Sequence, residues 1–128
     1  METRKFIAAE KKQSKQCNCA QAVITTYCDK CGLDEEMAMS AGRAFAVGMG
    51  NMEGTCGALI GAGVVLGYVH KDKAKCMQCM RQIMEKFQER NGATQCKLLK
   101  GRDTGKVLRE CSLCVADAAE FLEEMIEE

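Results

Sequence analysis

The sequence predicts an all-α fold, a compact bundle of five or six helices around a central glycine-rich helix, in a single helical domain over residues 1–128. Three observations lead there. The 128 residues include no proline and nine methionines, a composition that favours uninterrupted helices. Apolar side chains recur at steps of three and four, and no segment alternates with the period of two that marks a half-buried strand. The third observation is the stretch from Thr55 to Gly67, apolar apart from its glycines. Each glycine costs roughly 1 kcal/mol relative to alanine in a helix interior, so four of them need a reason. Gly57 and Gly61 share one face, and Gly63 and Gly67 lie nearly opposite. A helix bare on two sides lets neighbours approach closely on both.

The elements follow in order. A first helix over residues 2–14 would turn Phe6, Ile7 and Ala9 inward. Asn18 is a cap candidate for a second, with Cys19, Ala22, Val23, Ile24 and Tyr27 at helical spacing and Gly32 as its stop. Asp34 caps a third, with Glu35 and Glu36 in its positive first turn and Met37, Ala41, Ala44 and Phe45 facing the core. Gly48, Gly50 and Gly54 form a turn into the central helix, where Thr55 is the expected N-cap and Cys56 the first helical residue. Asp72 caps the next helix, whose stripe is Cys76, Cys79, Met80, Ile83, Met84 and Phe87, ended by Asn91-Gly92. Thr94 would cap a short turn holding Cys96, Leu98 and Leu99, closed by Gly101. The last helix is expected from about Gly105 to Ile126, with Val107, Cys111, Cys114 or Val115, Ala118, Leu122 and Met125 inward.

Composition removes several functions. Eighteen basic and eighteen acidic residues cancel, and with only six aromatics a nucleic-acid partner has little support. Ala58 to Val69 falls well short of the about 20 residues a membrane span needs. Met1 to Gln16 is charged and lacks the apolar run of a signal peptide, so a cytoplasmic location is expected. No Ser-His-Asp set and no phosphate-binding loop can be assembled. The methionines Met77, Met80 and Met84 make a stripe broader than one buried face needs, which allows a homodimer contact.

Ten cysteines are the outlier. In a reducing compartment such density points to metal ligation or thiol redox chemistry rather than to a disulfide framework. Cys19, Cys56 and Cys96 each follow a cap candidate by one or two residues, and a helix start favours thiolate over thiol. Three further pairs have Cys-x-x-Cys spacing: Cys28/Cys31, Cys76/Cys79 and Cys111/Cys114. On a helix, positions i and i+3 share a face, so each pair could chelate a soft metal or close a disulfide. Cys28/Cys31 lies before the Gly32 stop, at a negative helix end, which is the wrong end for a thioredoxin-like pair. None of the pairs is followed by histidine, which excludes haem attachment. The lone His70 reads as a solvated helix-end residue, and the charged tail after Phe121 as a solvated helix face.

At these residues the chain resembles the family of small redox-active proteins named for a C_GCAxxG_C_C cysteine pattern with a CGAxxG core. The core motif is matched by Cys56-Gly57-Ala58-Leu59-Ile60-Gly61. An upstream Asn-Cys-Ala-Gln-(Ala/Ser)-Val segment is matched by Asn18 to Val23, and a Gly-Leu-Asp-Glu-Glu segment by Gly32 to Glu36. Downstream, Cys96 with Leu98-Leu99 and Cys111 with Val115-x-Asp117-Ala118 complete the pattern. The resemblance implies that Cys19, Cys56, Cys96 and Cys111 are the functional set, and the helix-start argument makes Cys56, then Cys19, the reactive members. It implies redox activity without naming a reaction.

Three readings stay open at this point. The four cysteines could converge on one pocket and hold an iron–sulfur cluster or another soft metal, for electron transfer to a redox partner protein or for redox sensing. Two of them could form a reversible dithiol, with Cys56 as nucleophile, making the protein a thiol–disulfide oxidoreductase. The third reading is a zinc or copper binding module without turnover.

Overall fold

The computed structural model describes residues 1–126. Eight helices run in chain order: α1 Lys5–Gln13, α2 Cys19–Thr26, α3 Cys28–Cys31, α4 Glu35–Gly42, α5 Gly57–Val69, α6 Lys73–Asn91, α7 Cys96–Lys100 and α8 Cys111–Ile126. Six are of expected kind and two are very short. The described residues contain no strand, only a single antiparallel bridge between Thr55 and Gln95.

The glycine-rich α5 is central, packing against α2, α8, α6 and α3, while α1 lies across α8 and α2. Leu59, Val65 and Leu66 on α5 meet Val23 and Tyr27 of α2, Ile83 and Phe87 of α6, and Val115 and Leu122 of α8 in one core. Each such side chain taken fully out of water contributes roughly 1.5–3 kcal/mol.

One of the two expected bare faces of α5 is used as predicted. A Cβ added at Gly57 would stand 2.6 Å from the Phe45 carbonyl oxygen and 3.4 Å from Cys19 Cβ, and one at Gly61 would stand 2.8 Å from the Ala20 carbonyl oxygen. Those neighbours are backbone or branch points that cannot swing aside, so α2 and α5 approach as closely as they do only because both positions are glycine. The other face is corrected. Gly63 meets only the flexible end of Met80, and Gly67 has nothing within 4 Å.

Other helices are shifted from their sequence reading. In α1 Phe6 and Ile7 are exposed and Ala8 is the buried residue. In α4 the buried pair is Ala38 and Gly42, while Met37, Ala41 and Ala44 face outward. α1 packs against α8 and α2, and α4 against α2, where a Cβ at Gly42 would stand 2.9 Å from the Gln21 backbone nitrogen. The long helix expected from Cys19 to Gly32 breaks at Tyr27. There the phenol donates to the buried carboxylate of Glu123, which also accepts the Arg4 backbone N–H at 2.8 Å. Arg4 in turn bonds the Thr26 carbonyl at 2.9 Å and Asp29 at 2.7 Å. Glu123 therefore belongs to the interior, against the reading of the tail as a purely solvated face. His70 is partly buried, with Nε2 2.8 Å from the Met125 carbonyl oxygen.

Residues 101–110 form an irregular loop instead of the first turns of the last helix, and Val107 is exposed. The Leu108 N–H bonds the Leu99 carbonyl at 2.9 Å. Arg109 then grips the buried Asp117 through Nε at 3.0 Å and Nη2 at 3.1 Å. Asp117 also accepts from Arg90 at 2.9 Å and from Asn91 at 3.1 Å. Removing a carboxylate from a buried ion pair costs about 3–5 kcal/mol. Both arginines can reach water, so Asp117→Ala should fall at the low end, about 3 kcal/mol in urea unfolding, with the 101–110 loop loosened first.

Candidate functional site

Cys19 is the first residue of α2 because Asn18 caps that helix as the sequence predicts. The Asn18 side chain accepts the Gln21 N–H at 2.8 Å, and the Gln21 side chain accepts the Asn18 N–H at 3.0 Å. This is the reciprocal capping box. The Asn18 amide also donates to the Gly42 carbonyl at 3.1 Å, tying the start of α2 to the end of α4.

Cys56 and Cys96 are positioned together. The Cys56 N–H donates to the Thr94 carbonyl at 2.8 Å, and the Cys96 N–H donates to the Gly54 carbonyl at 2.9 Å. This pair of bonds flanks the Thr55–Gln95 bridge. Two expected caps are corrected by it. Thr55 is drawn into the bridge, so Cys56 itself is the N-cap of α5, and Gln95 rather than Thr94 precedes α7. Gly48 seals the arrangement from the 47–54 turn. Its φ is +54°, and a Cβ there would stand 2.4 Å from Cys96 Cβ. The neighbouring Val47 also holds a left-handed φ of +50°, an unusual conformation for a β-branched residue.

Cys111 opens α8, because the loop before it delays the helix by six residues relative to the sequence reading. All four cysteines implied by the family resemblance thus stand at helix starts: Cys19, Cys96 and Cys111 as first residues, and Cys56 as N-cap.

The four line one cavity of about 40 Å³, together with Cys114, Lys12, Lys100 and Arg109. A water needs at least about 10–15 Å³ on this measure, so the space takes a few water-sized species as it stands. The thiols influence one another's ionisation: Cys111 and Cys19, Cys19 and Cys56, and Cys56 and Cys114. Cys114 Sγ lies 3.8 Å from the Arg109 carbonyl oxygen.

Cys19, Cys56, Cys96 and Cys111 are held on the thiol side by burial and by one another, contrary to the expectation of helix-start thiolates. For Cys19, the hydrogen bond from Cys111 favours the thiolate, but the bond to Cys56 and burial outweigh it, and the pKa is pushed up to about 12. For Cys56, the hydrogen bond to Cys114 and burial outweigh help from Cys19 and from the Ala58 backbone N–H, and the pKa again is pushed up to about 12. The bond to Cys19 and burial raise Cys111 as well, and burial raises Cys96 against the pull of Lys100. The helix-start effect is present but smaller than burial combined with neighbouring thiols. Lys100 stays firmly charged. Burial works against its ammonium, but Cys111, to which it hydrogen-bonds, and Cys96 and Cys19 outweigh that. Lys12 adds a second positive charge that favours ionisation of Cys19, Cys96 and Cys111.

These shifts fix a pH dependence. Cys19 and Cys56 hold their protons to about pH 12 when folded, against an ordinary value of 9.0. Between those limits the folded state binds more protons than the unfolded state, so stability falls as pH rises. The reduced, metal-free protein should keep this contribution in full below about pH 9 and lose it progressively toward pH 12. Thermal melts under reductant across that range would show it, and a flat profile would mean the thiols are more solvated than their burial indicates.

All ten cysteines are free. Among the described residues no group of three or more His, Cys, Asp or Glu side chains is arranged to hold a metal ion. The remaining cysteines lie elsewhere. Cys17 sits 3.7 Å from Met39 Sδ. Cys28 and Cys31 occupy α3, before Gly32 with φ +72°. Cys76 and Cys79 face the core from α6, Cys79 fully buried.

The family model "Putative redox-active protein (C_GCAxxG_C_C)" matches residues 17–125. The chain belongs to this family. Neither a curated protein nor a solved structure matches it. Membership makes this a cysteine-rich, all-α member of a redox-active family, and the four cysteines implied by the resemblance line the cavity. Sequence reasoning named Cys114 as the Cys-x-x-Cys partner of Cys111, outside the functional set, and did not single out Lys12, Lys100 or Arg109. A signal existed for Cys114, because its i, i+3 spacing from Cys111 puts both on one helix face. None existed for the lysines, which are two among many in the chain.

No helix of the described residues is long and apolar enough to cross a membrane.

Proposed function

We propose that the protein carries out one-centre redox chemistry at this cavity, with Cys19, Cys56, Cys96 and Cys111 as ligands of a soft metal centre, an iron–sulfur cluster in the first instance. The protein then serves as an electron carrier to a partner protein or as a redox sensor. The observation that carries this reading is the convergence of four helix-start cysteines on one small cavity beside Lys12 and Lys100. The donor set fits in kind. Thiolates are the ligands soft metals select, and metal binding displaces thiol protons, so a high thiol pKa delays loading at low pH without preventing it. The helix starts of α2, α5 and α8 and the two ammonium groups offset the negative charge that several thiolates bring. Such a centre, when bound, supplies reversible one-electron transfer.

A second reading has its own support in the mutual influence of the Cys111, Cys19 and Cys56 thiols on one another's ionisation. Two of these could form a reversible disulfide. Against it stands the chemistry of exchange, which needs a thiolate. At pKa 12 the thiolate fraction at neutral pH is about a thousandth of that of an ordinary cysteine, and the cavity does not admit a protein disulfide.

The test is absorption and metal analysis of protein purified without oxygen. Broad bands at about 320–450 nm with stoichiometric iron and sulfide support the cluster reading. A colourless protein with stoichiometric zinc or copper supports a plain metal module. A colourless, metal-free protein with a measurable two-electron thiol potential supports the dithiol.

A further inference from the structure

The cavity lies where the last turn of α1, the starts of α2, α5 and α8, the 47–54 turn and α7 come together. Residues 11–19, 43–57 and 95–111 supply all of its lining except Cys114. Those three segments contain nine Lys or Arg against three Asp or Glu, in a chain of formal net charge zero. Balancing acids lie elsewhere. On α8, Glu120, Glu123 and Glu124 come 9 to 13 residues after Cys111, about 14–20 Å along the helix axis at roughly 1.5 Å per residue.

Most of this positive charge is uncompensated. Of the nine cations only Lys97, Arg102 and Arg109 are ion-paired among the described residues. Lys12 and Lys100 line the cavity itself. Lys15, Arg43 and Lys106 are exposed around it. Each is tied to the lining through backbone. The Lys15 N–H donates to the Lys12 carbonyl at 3.1 Å, and the Arg43 carbonyl accepts from the Asn18 amide at 3.4 Å. The Lys106 backbone packs on Gly101, next to Lys100, and leaves no room there for a Cβ.

An apolar spot sits among these charges. Val47, a lining residue, is 43% exposed, and Met49 is 53% exposed. Both hold left-handed backbone, with φ +50° and +67°, a costly conformation that recurs at ligand clamps. Apolar contact at the centre with charge at the rim is how protein-binding faces are built, and the rim charge selects a partner of opposite sign. A nucleic acid fits less well, because the three segments hold a single aromatic residue, Phe45, on which bases could stack.

We propose that this face docks a redox partner protein whose surface is acidic around its own centre. That the partner is a redox protein rests on the reading of the cavity given above; the binding face itself needs no metal. Docking here covers Val47 and sets the partner over the thiol cavity.

The test uses plant-type ferredoxin, an acidic [2Fe–2S] protein, added to the ¹⁵N-labelled, reduced, metal-free full-length chain. Amide shifts should map to residues 11–19, 43–57 and 95–111, with Val47 and Met49 among them. They should collapse as salt rises from about 0.01 M to about 1 M and the Debye length falls from about 30 Å to about 3 Å. Lys15→Glu with Lys106→Glu should weaken association about tenfold. Lys73→Glu with Arg81→Glu, exposed on α6, should bind as wild type does. Shifts centred on another face, no association at low salt, or equal weakening by the α6 pair overturns the proposal. So does a footprint from duplex DNA or phosphatidylserine vesicles with none from ferredoxin. If the Lys15/Lys106 variant misfolds, the wild-type footprint and its salt dependence still decide. A footprint on this face in a protein that loads no metal overturns the metal reading and leaves the docking face standing.

Discussion

Gly61→Leu should unfold at markedly lower denaturant than wild type and lose the thiol site with it. The added side chain meets the Ala20 carbonyl oxygen and the branch point of Val23, which a bare Cβ would already approach to 2.8 and 3.0 Å. Overpacking of this kind costs about 1–3 kcal/mol, and displacement of α2 adds to it. The functional loss follows from geometry, since the same helix contact sets the spacing between Cys19 at the start of α2 and Cys56 before α5. Gly67→Leu is the control. Its position has open space, so a similar loss there would show that the effect comes from helix propensity and not from the close approach.

Cys56→Ser should abolish metal loading or the thiol potential, whereas Cys31→Ser should largely spare both. Cys56 is buried at the cavity, and two other thiols influence its ionisation. Cys31 lies on α3, outside the cavity, beside Cys28 and Asp29, which together with burial raise its pKa. Metal content of the two variants, measured side by side after anaerobic purification, checks this. If Cys31→Ser failed and Cys56→Ser loaded normally, the Cys28/Cys31 pair would be the working site.

Much of the fold was legible because its signals are local. The Asn18 and Asp34 caps, the Gly32 and Gly92 stops and the α6 stripe follow from neighbouring residues alone, and the structure bears them out. The misreadings came where tertiary contacts override local preference. Thr55 looks like a cap, but its backbone pairs with Gln95, which is 40 positions away. Val107 fits a helical stripe, but the pull of Asp117 on Arg109 holds residues 101–110 in a loop. In α1 and α4 the apolar residues suggested the wrong face; at Gly42 of α4 the backbone of α2 comes too close for a side chain.

The convergence of four cysteines was legible in the sequence, and their electrostatics were not. The cysteines at Cys19, Cys56, Cys96 and Cys111 do gather at one cavity. Their protonation could not be read from helix position, because the helix-start effect is local while burial and neighbouring thiols depend on the assembled fold. Lys12 and Lys100 reach the cavity from α1 and from the end of α7, a juxtaposition no spacing in the chain records.

The most direct test of a soft metal centre built from these thiols is X-ray absorption at the metal edge of anaerobically loaded, full-length protein. The cavity offers sulfur from five cysteines and neither histidine nor a carboxylate. The first shell should therefore be sulfur alone, near 2.3 Å if zinc is the probe. A shell of nitrogen or oxygen near 2.0–2.1 Å, in a protein that binds metal stoichiometrically, would contradict the account and place the metal elsewhere on the chain.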